Sequence, residues 1–363
     1  MTETWGPATS AERYRVIDIV RGLALFGVLI VNLMSDFRIP LLEFILRPPD
    51  DWVDRVIKFA LEFKSLTTFS FLFGVGFAIQ MERASIRGQH AHLFLLRRML
   101  VLLVIGVIHL FLIWNGDILT LYGVCGLLLV PALGLRWPWL AGIGVMWIAL
   151  PEIRWFDWHF PDPAGIAEAR HVYGDEGFVA ILRYRWTESW VLIAPILRSV
   201  LPRTVGLMYL GAAAWRSGIL RTPERHKTLL TGALLLGVIG GSFLTVRHVN
   251  HIDSTLVMAM GYVAGLLLWF TPERSARWPR LAALGQMALT NYLMQSIVLG
   301  FVFYGYGLGL FGRISAPAAA AIGVALYVAQ VYFSRWWLNR FRFGPIEWLW
   351  RSLSYGRRQP MIL

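Results

Sequence analysis

The sequence predicts an all-α, polytopic transmembrane helical bundle of about ten spans. Three observations carry that prediction. Of 363 residues, 57% are hydrophobic and 15% charged, with a mean hydropathy of +0.57, far from the balance of a water-soluble domain. Apolar runs long enough to cross a hydrocarbon core of about 30 Å recur along the whole chain. The basic residues behind a formal net charge of +12 sit in short segments between those runs, where they act as topology signals.

In order, the expected spans are Val16–Phe37, Val56–Gln80, Met99–Trp114, Ile118–Leu135, Trp139–Leu150, Trp190–Trp215, Leu229–Val246, Thr255–Phe270, Leu281–Phe303 and Pro317–Leu338. The first comes after Arg13 and Arg15 and has no small-residue cleavage site behind it, so it reads as a retained span and not as a signal peptide. Arg83, Arg87, Arg97 and Arg98 share one loop, Arg216, Arg221, Arg225 and Lys227 another, and Arg274, Arg277 and Arg280 a third. An even number of spans puts these loops on the side of both termini, and the positive-inside rule makes that side cytoplasmic. The long connection 151–189 then lies outside, with a surface helix expected over Ile166–Tyr184. In the cytoplasmic tail 339–363, Pro345 and Glu347 fit the first turn of an amphipathic interfacial helix that Trp348, Trp350 and Arg351 anchor. No repeat divides the chain, so 1–363 reads as one membrane domain. The basic residues form no continuous patch, which argues against nucleic acid and leaves membrane lipids as the surroundings. A lone cysteine, Cys125, gives no disulfide framework, and a homo-oligomer is neither required nor excluded.

Polar residues inside apolar runs carry the functional signal, because each costs free energy beside hydrocarbon. The stretch HLFLIWNGD begins at His109 and ends on Asn115, Gly116 and Asp117. His109 lies eleven residues beyond Arg98, and Asn32 eleven beyond Arg21; at 1.5 Å per residue both stand about 16 Å above the inner boundary. A histidine and an asparagine at one depth suit activation and orientation of a nucleophile, although either can also serve as packing glue. Asp18 and Arg21 share a face near the inner interface, where an arginine fork can hold phosphate or simply close an ion pair. The ninth span, GQMALTNYLMQS, spreads Gln286, Thr290, Asn291, Tyr292 and Gln295 around the helix, so it lines a wet cavity or packs centrally. Gly74 and Gly76 in FLFGVGF permit close helix approach. HVNHID, from His248 to Asp253, matches an acyltransferase spacing only superficially and is too weak for a metal site. Neither a metal nor a haem is expected.

IDIVRGLALFGVLIVN, FLFGVGF, HLFLIWNGDILTLYGV, GQMALTNYLMQS and GPIEWLWRSLSYG together resemble the YeiB-like family of bacterial multi-span membrane proteins, domain of unknown function 418. The resemblance runs over about 15–356 and links the chain to transmembrane acyltransferases. It implies a protein of the bacterial inner membrane that moves an acyl group, most simply acetyl, from cytoplasmic acyl-CoA to an extracytoplasmic sugar or other acceptor. On that reading His109, Asn32 and Asp117 are the catalytic residues: His109 is the general base or acyl relay, Asn32 orients it or the thioester, and Asp117 with Asn115 shapes the outer acceptor side. Asp18, Arg21, Asn115, Gln286, Thr290, Asn291, Gln295, Glu347 and Arg351 shape the two substrate sides. Some relatives carry a histidine at the place of Asn32. A transporter or flippase for an anionic metabolite or lipid headgroup would use the same residues as a midplane binding site; the inverted repeat that would favour it is not visible.

Overall fold

A computed structural model describes residues 14–46, 48–49, 51–86, 90–150, 164–195, 200–247 and 251–363. Among these the regular elements are helices, with one isolated bridge between Phe341 and Ile362. They run α1 (Arg15–Asn32), α2 (Leu41–Leu46), α3 (Trp52–Ala60), α4 (Lys64–Ile86), α5 (Ala91–Ile108), α6 (Leu119–Leu129), α7 (Trp137–Ala149), α8 (Ala164–Asp175) and α9 (Phe178–Pro195). Next come α10 (Leu201–Arg216), α11 (Lys227–Leu235), α12 (Gly241–Val246), α13 (His251–Trp269), α14 (Pro272–Ala276), α15 (Pro279–Gln286), α16 (Ala288–Phe303), α17 (Ala316–Leu338) and α18 (Pro345–Tyr355).

Four of the described helices are long and apolar enough to cross a membrane: Arg15–Phe37, Ala91–Ile113, Pro223–Val246 and Ala316–Leu338. A fifth results if α15 and α16, bent by 79° at their junction, count as one. Shorter apolar helices cover Leu119–Ala132, Trp137–Ala149 and Ser254–Trp269. This is a membrane protein whose helices are interrupted more often than apolar run length alone predicts.

Three interruptions differ from the expected elements. The run Val56–Gln80 forms two helices, α3 and α4, because Phe63 takes a left-handed backbone at φ 57°. The helix expected over Ile166–Tyr184 is also two, α8 and α9, separated at Glu176 and Gly177. The expected span from Trp190 starts inside α9, which ends at Pro195 before α10 begins at Leu201. His248 to Asn250 lie outside the described residues, as do the side chains of His251 to Asp253.

Close crossings hold the centre together. A Cβ at Gly74 would fall within 1.9 Å of the Met208 carbonyl on α10, so this glycine admits a backbone-to-backbone approach. Gly76 serves a different purpose: its missing side chain makes room for the Arg21 guanidinium, 2.6 Å from an ideal Cβ.

Both α1 and α5 widen at their ends. After α1, Leu33–Phe37 is a π-helical turn, closed by the Arg38 N–H donating to the Leu33 carbonyl. After α5, His109–Ile113 repeats the pattern, closed by the Trp114 N–H on the His109 carbonyl. The extra residue in each turn rotates the next segment of chain relative to a regular helix, a device common at functional sites. Asp36 and His109 are both buried in these turns.

Candidate functional site

The π turn places His109 with its side chain fully buried. Its Nδ1 lies 2.7 Å from Asp117 Oδ1. Asp117 also accepts from the backbone N–H of Leu119 at 3.0 Å and of Thr120 at 2.6 Å, closing the first turn of α6. A carboxylate that takes two amide protons is an acceptor towards the imidazole as well, which assigns the ring proton to Nδ1. Nε2 then carries a lone pair, and it is buried with no hydrogen-bond partner. The Tyr292 ring packs on the imidazole at 5.3 Å and Trp114 stands edge-on at 6.2 Å. The Tyr292 hydroxyl oxygen accepts the Ile118 N–H at 3.2 Å.

Gly116 is the hinge of this loop. A Cβ there would meet the Trp114 ring at 2.2 Å, so only glycine lets the indole fold back and donate to Asp36 Oδ2 at 2.6 Å. Asn115 donates to Glu188 Oε2 at 2.6 Å, which also accepts from the Tyr173 hydroxyl at 2.6 Å. Burial pushes the Glu188 carboxyl above its ordinary range, against the pull of these two hydrogen bonds.

A cavity of about 260 Å³ is lined by Ile118, Leu119, Tyr122 and Tyr292, the last of these being the residue that packs on His109. Its lining also holds five arginines, Arg21, Arg83, Arg98, Arg342 and Arg351. The buried Arg98 guanidinium lies 3.6 Å from the Trp350 ring, whose N–H donates back to the Arg98 carbonyl. Arg351 covers Phe343 at 4.8 Å. Arg21 reaches Asp18 and the Leu72 carbonyl, each at 3.4 Å. Glu347 seats α18 on the broken pair α15/α16: it accepts the N–H groups of Leu289 and Thr290 and the Thr290 hydroxyl. Those N–H groups are the unsatisfied start of α16, so the carboxylate caps a helix end left open by the break. Burial nonetheless pushes the Glu347 carboxyl up, the donors pulling the other way.

The structure thus gathers Asp18, Arg21, Gln286, Glu347 and Arg351 around one cavity, and joins His109 to Asp117 behind the lining residue Tyr292, with Asn115 two residues before Asp117 held by Glu188. It does not join Asn32 to them. Asn32 is half-buried, lines none of the described cavities, and the imidazole's partner is Asp117. Thr290 serves Glu347, while Asn291 donates to Ser334 and Gln295 to Gln330, tying α16 to α17. Asp36, Arg185 and Glu188 are not apparent as site residues from sequence. Asp36 carries a weak signal, one turn beyond Asn32 at the end of the first apolar run; Arg185 and Glu188 sit in an amphipathic stretch that reads as surface. Among the described residues no group of three or more potential ligands could hold a metal ion.

Comparison with known proteins divides the chain. Residues 13–167 match the family described as heparan-alpha-glucosaminide N-acetyltransferase, catalytic, and residues 214–357 match the protein family of unknown function DUF418. Similar over nearly their whole length are the uncharacterized protein YxaH of Bacillus subtilis (strain 168), 33% identical over 98% of this chain and 97% of the relative, and the uncharacterized protein YeiB of Escherichia coli (strain K12), 28% identical over 97% and 98%. An uncharacterized 39.9 kDa protein from the amylase 3' region of Bacillus acidopullulyticus is 29% identical over 98% of each chain. No solved structure matches.

Proposed function

The chain belongs to the DUF418 family, with YeiB and YxaH as full-length relatives, and from that premise we propose that it is a transmembrane acyltransferase. It takes an acyl group, acetyl in the simplest case, from acyl-CoA on the cytoplasmic side and transfers it to a hydroxyl or amine of an extracytoplasmic sugar or similar acceptor. The likeness of residues 13–167 to an N-acetyltransferase catalytic family supports the reaction class. The observation that carries the reading is the His109–Asp117 pair, its Nε2 unpartnered, packed on Tyr292, which lines a cavity that also holds five arginines.

In this reading the five arginines lie on the cytoplasmic side, ten spans bring both termini to that side, and the membrane is the bacterial inner membrane. Arg21, Arg98 and Arg351 attract the phosphates of CoA, and the pantetheine arm extends towards Tyr292. His109 Nε2 takes the proton of the acceptor as its oxygen or nitrogen attacks the thioester carbonyl carbon. The Tyr292 hydroxyl, whose oxygen already accepts from Ile118, is free to turn its own proton to the oxyanion that forms. When the intermediate collapses, the C–S bond breaks and His109 returns the proton to the leaving CoA sulfur. Asp117 holds the imidazole in the required tautomer and stabilises the imidazolium between the two transfers.

The test is calorimetric titration of acetyl-CoA into the detergent-solubilised protein and its Arg21→Ala and His109→Ala variants. Saturable binding that Arg21→Ala weakens and His109→Ala preserves supports a CoA site separate from the base. Failure of short-chain acyl-CoA thioesters to bind sinks the mechanism and favours a transporter.

A further inference from the structure

Beyond His109 lies a second buried polar cluster that the transfer chemistry leaves unused. Arg185 on α9 is 1% exposed, and none of its three guanidinium nitrogens has a hydrogen-bond partner. The Tyr304 ring stands 5.8 Å from the guanidinium carbon. An arginine buried in this way is strongly unfavourable unless its five N–H groups find acceptors.

Two internal carboxylates share the cluster, and neither pairs with it. Asp36 is held by the Trp114 indole, and Glu188 by Asn115 and Tyr173 together. The hydrogen bonds keep both acids in place beside Arg185 while leaving its fork open. Burial also pushes the Glu188 carboxyl above its ordinary range. Four residues along the same helix, Ser189 Oγ is likewise buried and unpartnered. The missing partner is therefore rich in acceptor oxygens and suited to a planar fork of donors.

We propose that Arg185 and Ser189 form an oxyanion-binding site for a carboxylate or phosphate group carried by the acceptor. A separate cavity of about 170 Å³, lined by Arg38, Glu43, Asp54, Lys58 and Arg170, carries three cations against two acids, and Arg170 lies one helical turn before Tyr173, which donates to Glu188. Residues 168–213, which carry Arg185, Glu188 and Ser189, fall between the two family matches. That position fits a determinant of acceptor choice better than part of the shared transfer machinery. The site rests on the acyltransfer reading only in that the bound molecule is called the acceptor.

The test uses the full chain in lipid nanodiscs, without acyl-CoA, titrated calorimetrically with D-glucuronate, with glycerol 3-phosphate and with uncharged glucose. At least one anion should bind saturably, tenfold or more tighter than glucose; Arg185→Gln should abolish that preference and the exposed neighbour Arg183→Gln should retain it. Preference for glucuronate identifies a carboxylate, preference for glycerol 3-phosphate a phosphate headgroup. Ser189→Ala, a milder change, should weaken the anion severalfold and answers the question if Arg185→Gln does not fold. Anion binding that survives in His109→Gln while acyl transfer is absent even from the wild type would remove the transfer reading and keep the site. Absence of binding by both anions, equal binding of glucose, or affinity unchanged in the variants overturns the proposal.

Discussion

Asp117 Oδ1 and His109 Nδ1 are 2.7 Å apart, and both side chains are completely shielded from solvent. The pairing fixes which nitrogen carries the proton, so its loss separates chemistry from binding. Asp117→Asn places an amide where the carboxylate accepted the Nδ1 proton, favouring the tautomer with the proton on Nε2. Acetyl-CoA turnover should fall by about two orders of magnitude or more, with acetyl-CoA affinity unchanged. Single-turnover CoA release beside calorimetric binding checks both.

Gly116→Ala tests the loop between the π turn and α6. The added methyl meets the Trp114 ring, which must move off Asp36. A loss of about 1–3 kcal/mol is expected for overpacking of this kind. It is measured as a lower thermal midpoint in detergent together with a shifted tryptophan emission.

Arg98→Ala removes a guanidinium stacked on Trp350 in the lining of the 260 Å³ cavity. Acetyl-CoA affinity should weaken about tenfold, consistent with losing one charge-assisted phosphate contact of about 1.5 kcal/mol or more. The adjacent exposed Arg97, which lines none of the described cavities, should tolerate alanine with affinity unchanged.

Glu347→Ala strands the N–H groups of Leu289 and Thr290 and should cost about 3 kcal/mol or more; Glu347→Gln, which keeps an acceptor, should cost less. The carboxyl is raised above its ordinary value of 4.5 by burial. The folded state then binds more protons than the unfolded state between those two values, so this group's contribution to stability is fully present below pH 4.5. It is lost as pH rises through the folded value. Thermal melts across that range should slope downwards in the wild type more than in Glu347→Gln.

Much of the fold and part of the site are legible in the sequence, and the remainder is hidden for identifiable physical reasons. Apolar run length locates most of the helices but not their breaks, and the polar price of His109, Asn115 and Asp117 in one apolar stretch marks the candidate site. Regular helical rise places His109 and Asn32 at one depth, yet depth says nothing about facing. A π turn after each helix then changes the register, and no residue pattern announces such a turn. The same turn hides Asp36. In GQMALTNYLMQS the polar residues divide between duties: Asn291 and Gln295 tie α16 to α17, Thr290 holds α18, and Tyr292 alone among these turns to the imidazole. Glu347 reads as a helix-start residue, and it is one. Its carboxylate, however, caps a different helix, a long-range partnership that local sequence does not encode. Arg185 is concealed because an arginine close to the exposed Arg183 and Trp186 reads as solvated, whereas here it turns inward.

The central claim is that His109 is the base of an acyl-CoA site, next to the cavity that Tyr292 lines. Its most direct test is the rate of CoA release from acetyl-CoA, with water as the acceptor, by the purified protein and by His109→Gln at saturating thioester. The account predicts slow release in the wild type and a loss of about a hundredfold or more in the variant, with acetyl-CoA still bound. Release at the same rate in His109→Gln would contradict it.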